Sequence, residues 1–104
     1  MNNDLEIFQM RSKVKDVAQV LKVMAHPERL LLLCQISQGK LSVTELEQRL
    51  GMGQSQISQT LQKLEQLQLV SYERDGKLKY YQLKDEKLKR HIEKLYEIYC
   101  KEDL

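Results

Sequence analysis

Tryptophan is absent, and phenylalanine (Phe8) and proline (Pro27) each occur once. Aromatic residues make up 6% of the 104, so the core is expected to be aliphatic. Scarce proline beside 31% charged residues disfavours a sandwich or barrel and suits an exposed, mostly helical chain. Long apolar runs are missing too. The longest aliphatic stretch, Leu30 to Leu33, falls far short of the ~20 residues that span a bilayer. The start, Met1-Asn2-Asn3-Asp4, lacks a signal-peptide core. Cys34 and Cys100 are too few and too far apart for a secreted disulfide framework or a zinc ribbon. Together these absences imply a reducing, cytoplasmic setting and no membrane partner. A large charge excess is also lacking: 17 basic residues face 15 acidic ones, for a net +2. That excludes a polybasic tail but leaves room for a small basic patch. The length predicts one domain over residues 1–104, large enough to fold without metal or disulfide staples.

Turn residues divide what remains. From Val14 through Val17, Val20, Leu21 and Met24 the spacing is near 3.6, which predicts an amphipathic first helix over 5–24. Pro27 disfavours helix at His26 and can open a second helix, which Gly39 stops near Gln38. Leu30, Leu31, Leu33, Cys34 and Ile36 make that helix apolar on most sides, so a central position is expected. Ser42-Val43-Thr44-Glu45 is a capping box that opens a short third helix, ending at Gly51. A fourth helix begins at Gln54-Ser55, with an apolar stripe of Ile57, Leu61, Leu64 and either Leu67 or Leu69. Residues 70–74 and 78–83 alternate around Asp75-Gly76-Lys77, as a hairpin does when its turn needs positive φ at Gly76. A last helix runs from Asp85-Glu86 to about Lys101, with Leu88, Ile92, Leu95, Tyr96 and Tyr99 on one face. The expected order is α-α-α-α-β-β-α, a mainly helical winged helix-turn-helix with a β-hairpin wing.

A helix that reads DNA needs one apolar face to seat it and another rich in hydrogen-bonding side chains. Gln54, Ser55, Gln56, Ser58, Gln59 and Lys63 supply the second face. Glutamine can bond adenine edges in a bidentate way, and the helix start offers N–H groups to phosphate. The hairpin tip sets Arg74, Lys77 and Lys79 against Asp75, which suits phosphate neutralisation. The expected partner is double-stranded operator DNA. A winged helix can instead serve as a protein-interaction module, but such a module more often exposes apolar residues on this face. No nucleophile constellation, phosphate loop or paired carboxylates suggest an enzyme.

Four segments occur in order: Ala25-His26-Pro27-Glu28-Arg29-Leu30, Leu41-Ser42-Val43-Thr44-Glu45-Leu46, Gln54-Ser55-Gln56-Ile57-Ser58-Gln59-Thr60-Leu61, and Gly76 followed by Tyr80-Tyr81-Gln82-Leu83. Together they resemble the ArsR/SmtB family over residues 10–101. The resemblance implies a bacterial homodimeric repressor, dimerised through its first and last helices, whose grip on an operator weakens when a ligand or oxidant reaches a sensing site.

Metal-sensing members often carry Cys-x-Cys at the start of the third helix, where this chain has Ser42-Val43-Thr44. Others use Asp, His and Glu on the last helix. Here Asp85, Glu86, His91 and Glu93 are available, but His91 and Glu93, two apart on a helix, point in different directions. One histidine there is also few for a zinc site of nitrogen ligands. No metal and no cofactor is therefore expected, and His26, ahead of Pro27, reads as structural. Cys34 in the second helix and Cys100 in the last resemble the persulfide- and redox-responsive branch of the family. The resemblance makes them a dithiol sensor, with a persulfide or polysulfide as inducer. The alternatives are general oxidants, a thiophilic metal held by both cysteines and a third ligand, or inert thiols with Cys34 a small core residue. Lys101 and Lys94 near Cys100 favour a thiolate, whereas Glu97 and a helix C-terminus oppose it.

Overall fold

The computed structural model describes residues 4–101; Met1-Asn2-Asn3, part of the segment read above for a signal-peptide core, and residues 102–104 lie outside the described residues. The elements are α1 (Asp4–Met24), α2 (Pro27–Ser37), β1 (Leu41–Ser42), α3 (Val43–Leu50), α4 (Gln54–Gln66), β2 (Val70–Asp75), β3 (Leu78–Leu83) and α5 (Glu86–Tyr99). The predicted helices and hairpin are present, and a two-residue strand, β1, is added to the expected order. The three strands form an antiparallel sheet in the order β1-β3-β2. The chain divides at Leu30–Leu31 into two compact units.

The first unit holds α1, which starts with Asp4 and Glu6 and has Lys22 in its last turn, as the helix dipole favours. Its apolar residues Leu5, Phe8, Val14, Val17 and Leu21 are exposed. In the second unit the core is aliphatic, as expected: Leu32, Leu33, Leu46, Ile57, Leu61, Leu64 and Ile92 are fully buried. The second helix is less enclosed than its composition suggested. Leu32, Leu33 and Ile36 share its buried side, while Leu31 is exposed. Four consecutive leucines wrap the helix, so they cannot all face inward.

Helix α3 begins with the complete capping box. The Glu45 amide donates to Ser42 Oγ at 3.2 Å, and the Ser42 amide donates to Glu45 Oε1 at 3.0 Å. Ser42 also pairs with Tyr80, and Leu41 with Tyr81, so the cap is part of the sheet. Gly51 ends α3 at φ 67°, where its amide donates to the Glu47 carbonyl at 2.9 Å. This left-handed turn is cheap for glycine and sets the angle at which α4 leaves.

The end of α4 decides between Leu67 and Leu69. Gln68 adopts φ 61°, its amide donates to the Glu65 carbonyl, and that of Leu69 donates to the Leu64 carbonyl, both at 2.9 Å. This is a Schellman motif with glutamine in the left-handed position. It turns the chain so that Leu69 is buried and Leu67 is exposed. In the hairpin, Asp75 pairs with Leu78 and leaves a two-residue loop, with Gly76 at φ 64° as predicted. Helix α5 is capped by Asp85, whose side chain accepts from the Lys87 amide at 2.9 Å. It stops at Tyr99, two residues before the expected end, and Cys100 is its C-terminal cap.

Candidate nucleic-acid interface

The seat of α4 is complete: Ile57, Leu61 and Leu64 are fully buried, and α3 packs against the helix. The remaining surface is polar. Gln54, Ser55, Gln56, Ser58, Gln59 and Lys63 are all exposed, as expected, and no large apolar side chain interrupts that face before Leu67. This is the pattern of a reading helix rather than of a protein-docking one. Gly53, at the N-cap, offers no side-chain bond to the first turn. The Thr60 hydroxyl is turned back onto the helix, where it donates to the Gln56 carbonyl at 2.8 Å.

The predicted residues do not all serve one surface. Gln54 and Ser58, one turn apart, line a groove of about 450 Å³ between α4, the start of α3 and the wing. Gln62, the next residue along this row, lines it as well. Sequence reasoning did not make Gln62 a site residue; its spacing of four from Ser58 is the signal that could have found it. From the wing, Lys77 and Lys79 reach the same groove, while Glu65 contributes one acidic group. Ser55, Gln56, Gln59 and Lys63 sit outside that lining.

Strand alternation sorts the wing's charges. Tyr72 pairs with Tyr81, and Arg74 with Lys79, so these four side chains share one face. Glu73 and Asp75 lie on the other. There Lys40 Nζ meets Glu73 Oε2 at 2.8 Å. That hydrogen bond, with the lysine's charge, lowers the Glu73 pKa. The acidic groups of the hairpin are thus turned away from the face that carries Arg74 and Lys79. At the base of that face, burial raises the Tyr81 pKa, and the charge of Glu65 adds to the effect.

Cys34 and Cys100, distant in sequence, both belong to the second unit. Burial pushes the half-buried Cys34 thiol up, and the charge of Cys100 pushes it further. Cys100 is exposed, and both thiols are free. The backbone carbonyl of Cys34 accepts from Ser37 Oγ at 2.7 Å. Lys94, expected to support a thiolate at Cys100, is engaged with Glu97 at 3.4 Å. His91 and Glu93 are exposed side chains, and among the described residues no three His, Cys, Asp or Glu side chains gather into a metal-binding group. Likewise, no described helix is long and apolar enough to cross a membrane.

Residues 26–72 match the family described as bacterial regulatory protein, arsR family. The biofilm growth-associated repressor of Agrobacterium fabrum is 42% identical over 93% of this chain and 83% of its own length. The solved transcriptional regulator HlyU of Vibrio vulnificus superposes with a TM-score of 0.86 at 35% identity, covering 90% of this chain and 98% of that one. Reduced HlyU of Vibrio cholerae gives 0.84 at 34% identity, covering 89% and 98%.

Proposed function

Since the chain belongs to the ArsR family of transcriptional regulators, which are not enzymes, we propose that it is a homodimeric cytoplasmic repressor whose operator binding is switched by persulfides through Cys34 and Cys100. The observation that carries the DNA half of this reading is the groove in which Gln54 and Ser58 meet Lys77 and Lys79. Hydrogen-bonding groups for base edges and cations for phosphates converge there from two elements. Ser55, Gln56, Gln59 and Lys63 extend the reading surface along α4, and Arg74 extends it along the wing. The name of the Agrobacterium relative supports repression. In a two-fold dimer, built through the exposed apolar faces of α1 and α5, the two reading helices stand about one DNA turn apart, ~34–36 Å.

The sensing half is supported by the charge of Cys100 acting on the half-buried Cys34 thiol. One cysteine thiolate attacks the outer sulfur of a persulfide RSSH, forming Cys–S–SH and releasing the thiol RSH. The second thiolate then attacks the cysteine sulfur of that hydropersulfide. It expels hydrosulfide and closes a disulfide. If a further persulfide first lengthens the chain, attack one sulfur further out closes a bridge with added sulfur. The persulfide is the oxidant throughout, and RSH and H₂S carry away the electrons. A bridge between α2 and α5 biases the dimer away from the spacing that fits operator DNA, for which a coupling of about 1–3 kcal/mol suffices.

The test pairs intact mass with DNA binding. A persulfide donor is expected to join Cys34 to Cys100, with or without added sulfur, and to lower operator affinity. Cys34→Ser and Cys100→Ser should each bind DNA and fail to respond. Peroxide acting equally well would favour a general oxidant sensor. A Cys34→Ser, Cys100→Ser double variant that still releases DNA on persulfide treatment would sink the dithiol assignment.

A further inference from the structure

The exposed end of the wing contains an arrangement that local energetics oppose. Arg74 and Lys79 stand directly across the strand pair from each other. Like charges so placed repel and weaken a hairpin. Within the hairpin no acidic side chain offsets them, because Glu73 and Asp75 point the other way, and the acidic group on this side, Glu65, comes from α4 and lines the groove. Instead, both cations lie over one aromatic ring. Lys79 Nζ is 4.4 Å from the centroid of Tyr72, and the Arg74 guanidinium carbon is 5.9 Å from it. Both distances are within the roughly 6 Å at which a ring quadrupole attracts a cation.

The ring is itself anchored. Tyr72 pairs with Tyr81 in the register, and their ring centroids are 5.6 Å apart at an interplanar angle of 51°. That tilted geometry is favourable for two aromatic quadrupoles. Tyr81 is buried and lines the groove beside α4. A continuous row therefore leads from the core through Tyr81 and Tyr72 to the two cations.

We propose that Tyr72 is a positioning residue for DNA binding, its ring holding Lys79 and Arg74 together on the groove side of the wing so that both meet the phosphate backbone as a pair. This rests on the reading of the wing as a DNA-contact element. The chemistry explains the unusual pairing. Two cations paired across the strands, with no acidic side chain of the hairpin beside them, are costly in the free protein, and the polyanion is the partner that relieves them. Long flexible side chains lose entropy when they are fixed on DNA, and the ring restricts them beforehand. The hydroxyl has no part in this; the ring face does the holding.

The experiment is a salt titration of binding to mixed-sequence double-stranded DNA, followed by fluorescence anisotropy. Tyr72→Phe should match the parent. Tyr72→Leu should bind about three- to thirty-fold more weakly at moderate salt, the order expected for two exposed cation–π contacts. Its log–log salt slope should fall by up to about two, as the paired phosphate contacts are lost. An Arg74→Ala, Lys79→Ala double variant sets the floor. Should that double variant bind like the parent, the wing does not contact DNA and the underlying reading fails. If the double variant loses slope while Tyr72→Leu does not, the wing contact stands and the positioning role is overturned. Equal loss in Tyr72→Phe and Tyr72→Leu also overturns it, since the hydroxyl would then matter. Should Tyr72→Leu not fold, proton NMR of the parent decides. Lys79 side-chain methylenes shifted upfield of those of Lys77 support the stacking, and unshifted ones refute it.

Discussion

Helices α4 and α5 are both amphipathic, but they finish differently. In α4 the apolar residues are fully buried and everything outward is polar. In α5, Leu88 and Ile92 are buried near the start, while Tyr96, Ile98 and Tyr99 lie exposed toward the end. The first helix has completed its burial and offers hydrogen bonds. The second carries apolar surface that nothing in its own unit covers. A polar partner fits the one, and an apolar partner, a second copy of this chain, fits the other.

The sharpest way to break this contrast is to truncate each helix. Leu61 is 0% exposed and Tyr99 is 71% exposed. Leu61→Ala should cost about 2–5 kcal/mol in urea unfolding, through lost transfer energy and the cavity left behind. Tyr99→Ala should leave the stability of the isolated protomer within about 0.5 kcal/mol. The apolar end of α5 is then probed by charge. Ile98→Glu with Tyr99→Glu should shift light-scattering mass from dimer toward monomer with far-UV dichroism unchanged, because burying a carboxylate in an apolar interface is costly. On α4, Gln59→Ala should reduce discrimination between operator and unrelated sequence by about 1–3 kcal/mol if its contact is bidentate. Lys77→Ala should instead weaken binding to all sequences alike and reduce the salt slope by about one. The same binding assays compare the two directly.

These contrasts were only partly legible beforehand. The stripes of α4 and α5 can be read from spacing alone, and the capping box from four residues. Strand β1 cannot: two residues carry no periodicity, and Ser42 already reads as a helix cap. Leu67 and Leu69 are equivalent in the pattern, and the left-handed backbone at Gln68 separates them. Glycine usually announces that conformation, so a glutamine there conceals it. The wing's excess of cations is visible as a count. The face that Lys79 joins depends on register: a hairpin loop one residue longer would set it with Asp75 instead of Arg74. The effect of Cys100 on the Cys34 thiol depends on tertiary packing and leaves no local trace.

Two smaller effects sharpen the picture. Ser42→Ala should lower stability by about 1 kcal/mol in chemical unfolding, as the cap of α3 is lost. Cys34 should show delayed alkylation at neutral pH, because the thiolate is the reactive form and burial disfavours it. The reaction should quicken as pH rises above the usual thiol range. Cys100→Ser should move the profile part of the way back, by removing the second cause. The sign for stability is the same. With the folded-state pKa raised, the contribution from protonated Cys34 is complete below about pH 8.5 and is lost as pH climbs through the folded value.

Ser42 belongs to three arrangements at once: a rung of the ladder with Tyr80, the cap of α3, and the wall of the groove. A mechanical consequence follows. The wing cannot slide along the helix-turn-helix without breaking that rung, and α3 cannot tilt without pulling its cap out of the sheet. The parts proposed to touch DNA therefore behave like the jaws of a fixed-gap gauge. The signal proposed to arrive at α2 and α5 would have little leverage over the shape of either jaw. What it would adjust in the proposed dimer is the calliper: the distance and angle at which two such gauges are presented to one double helix.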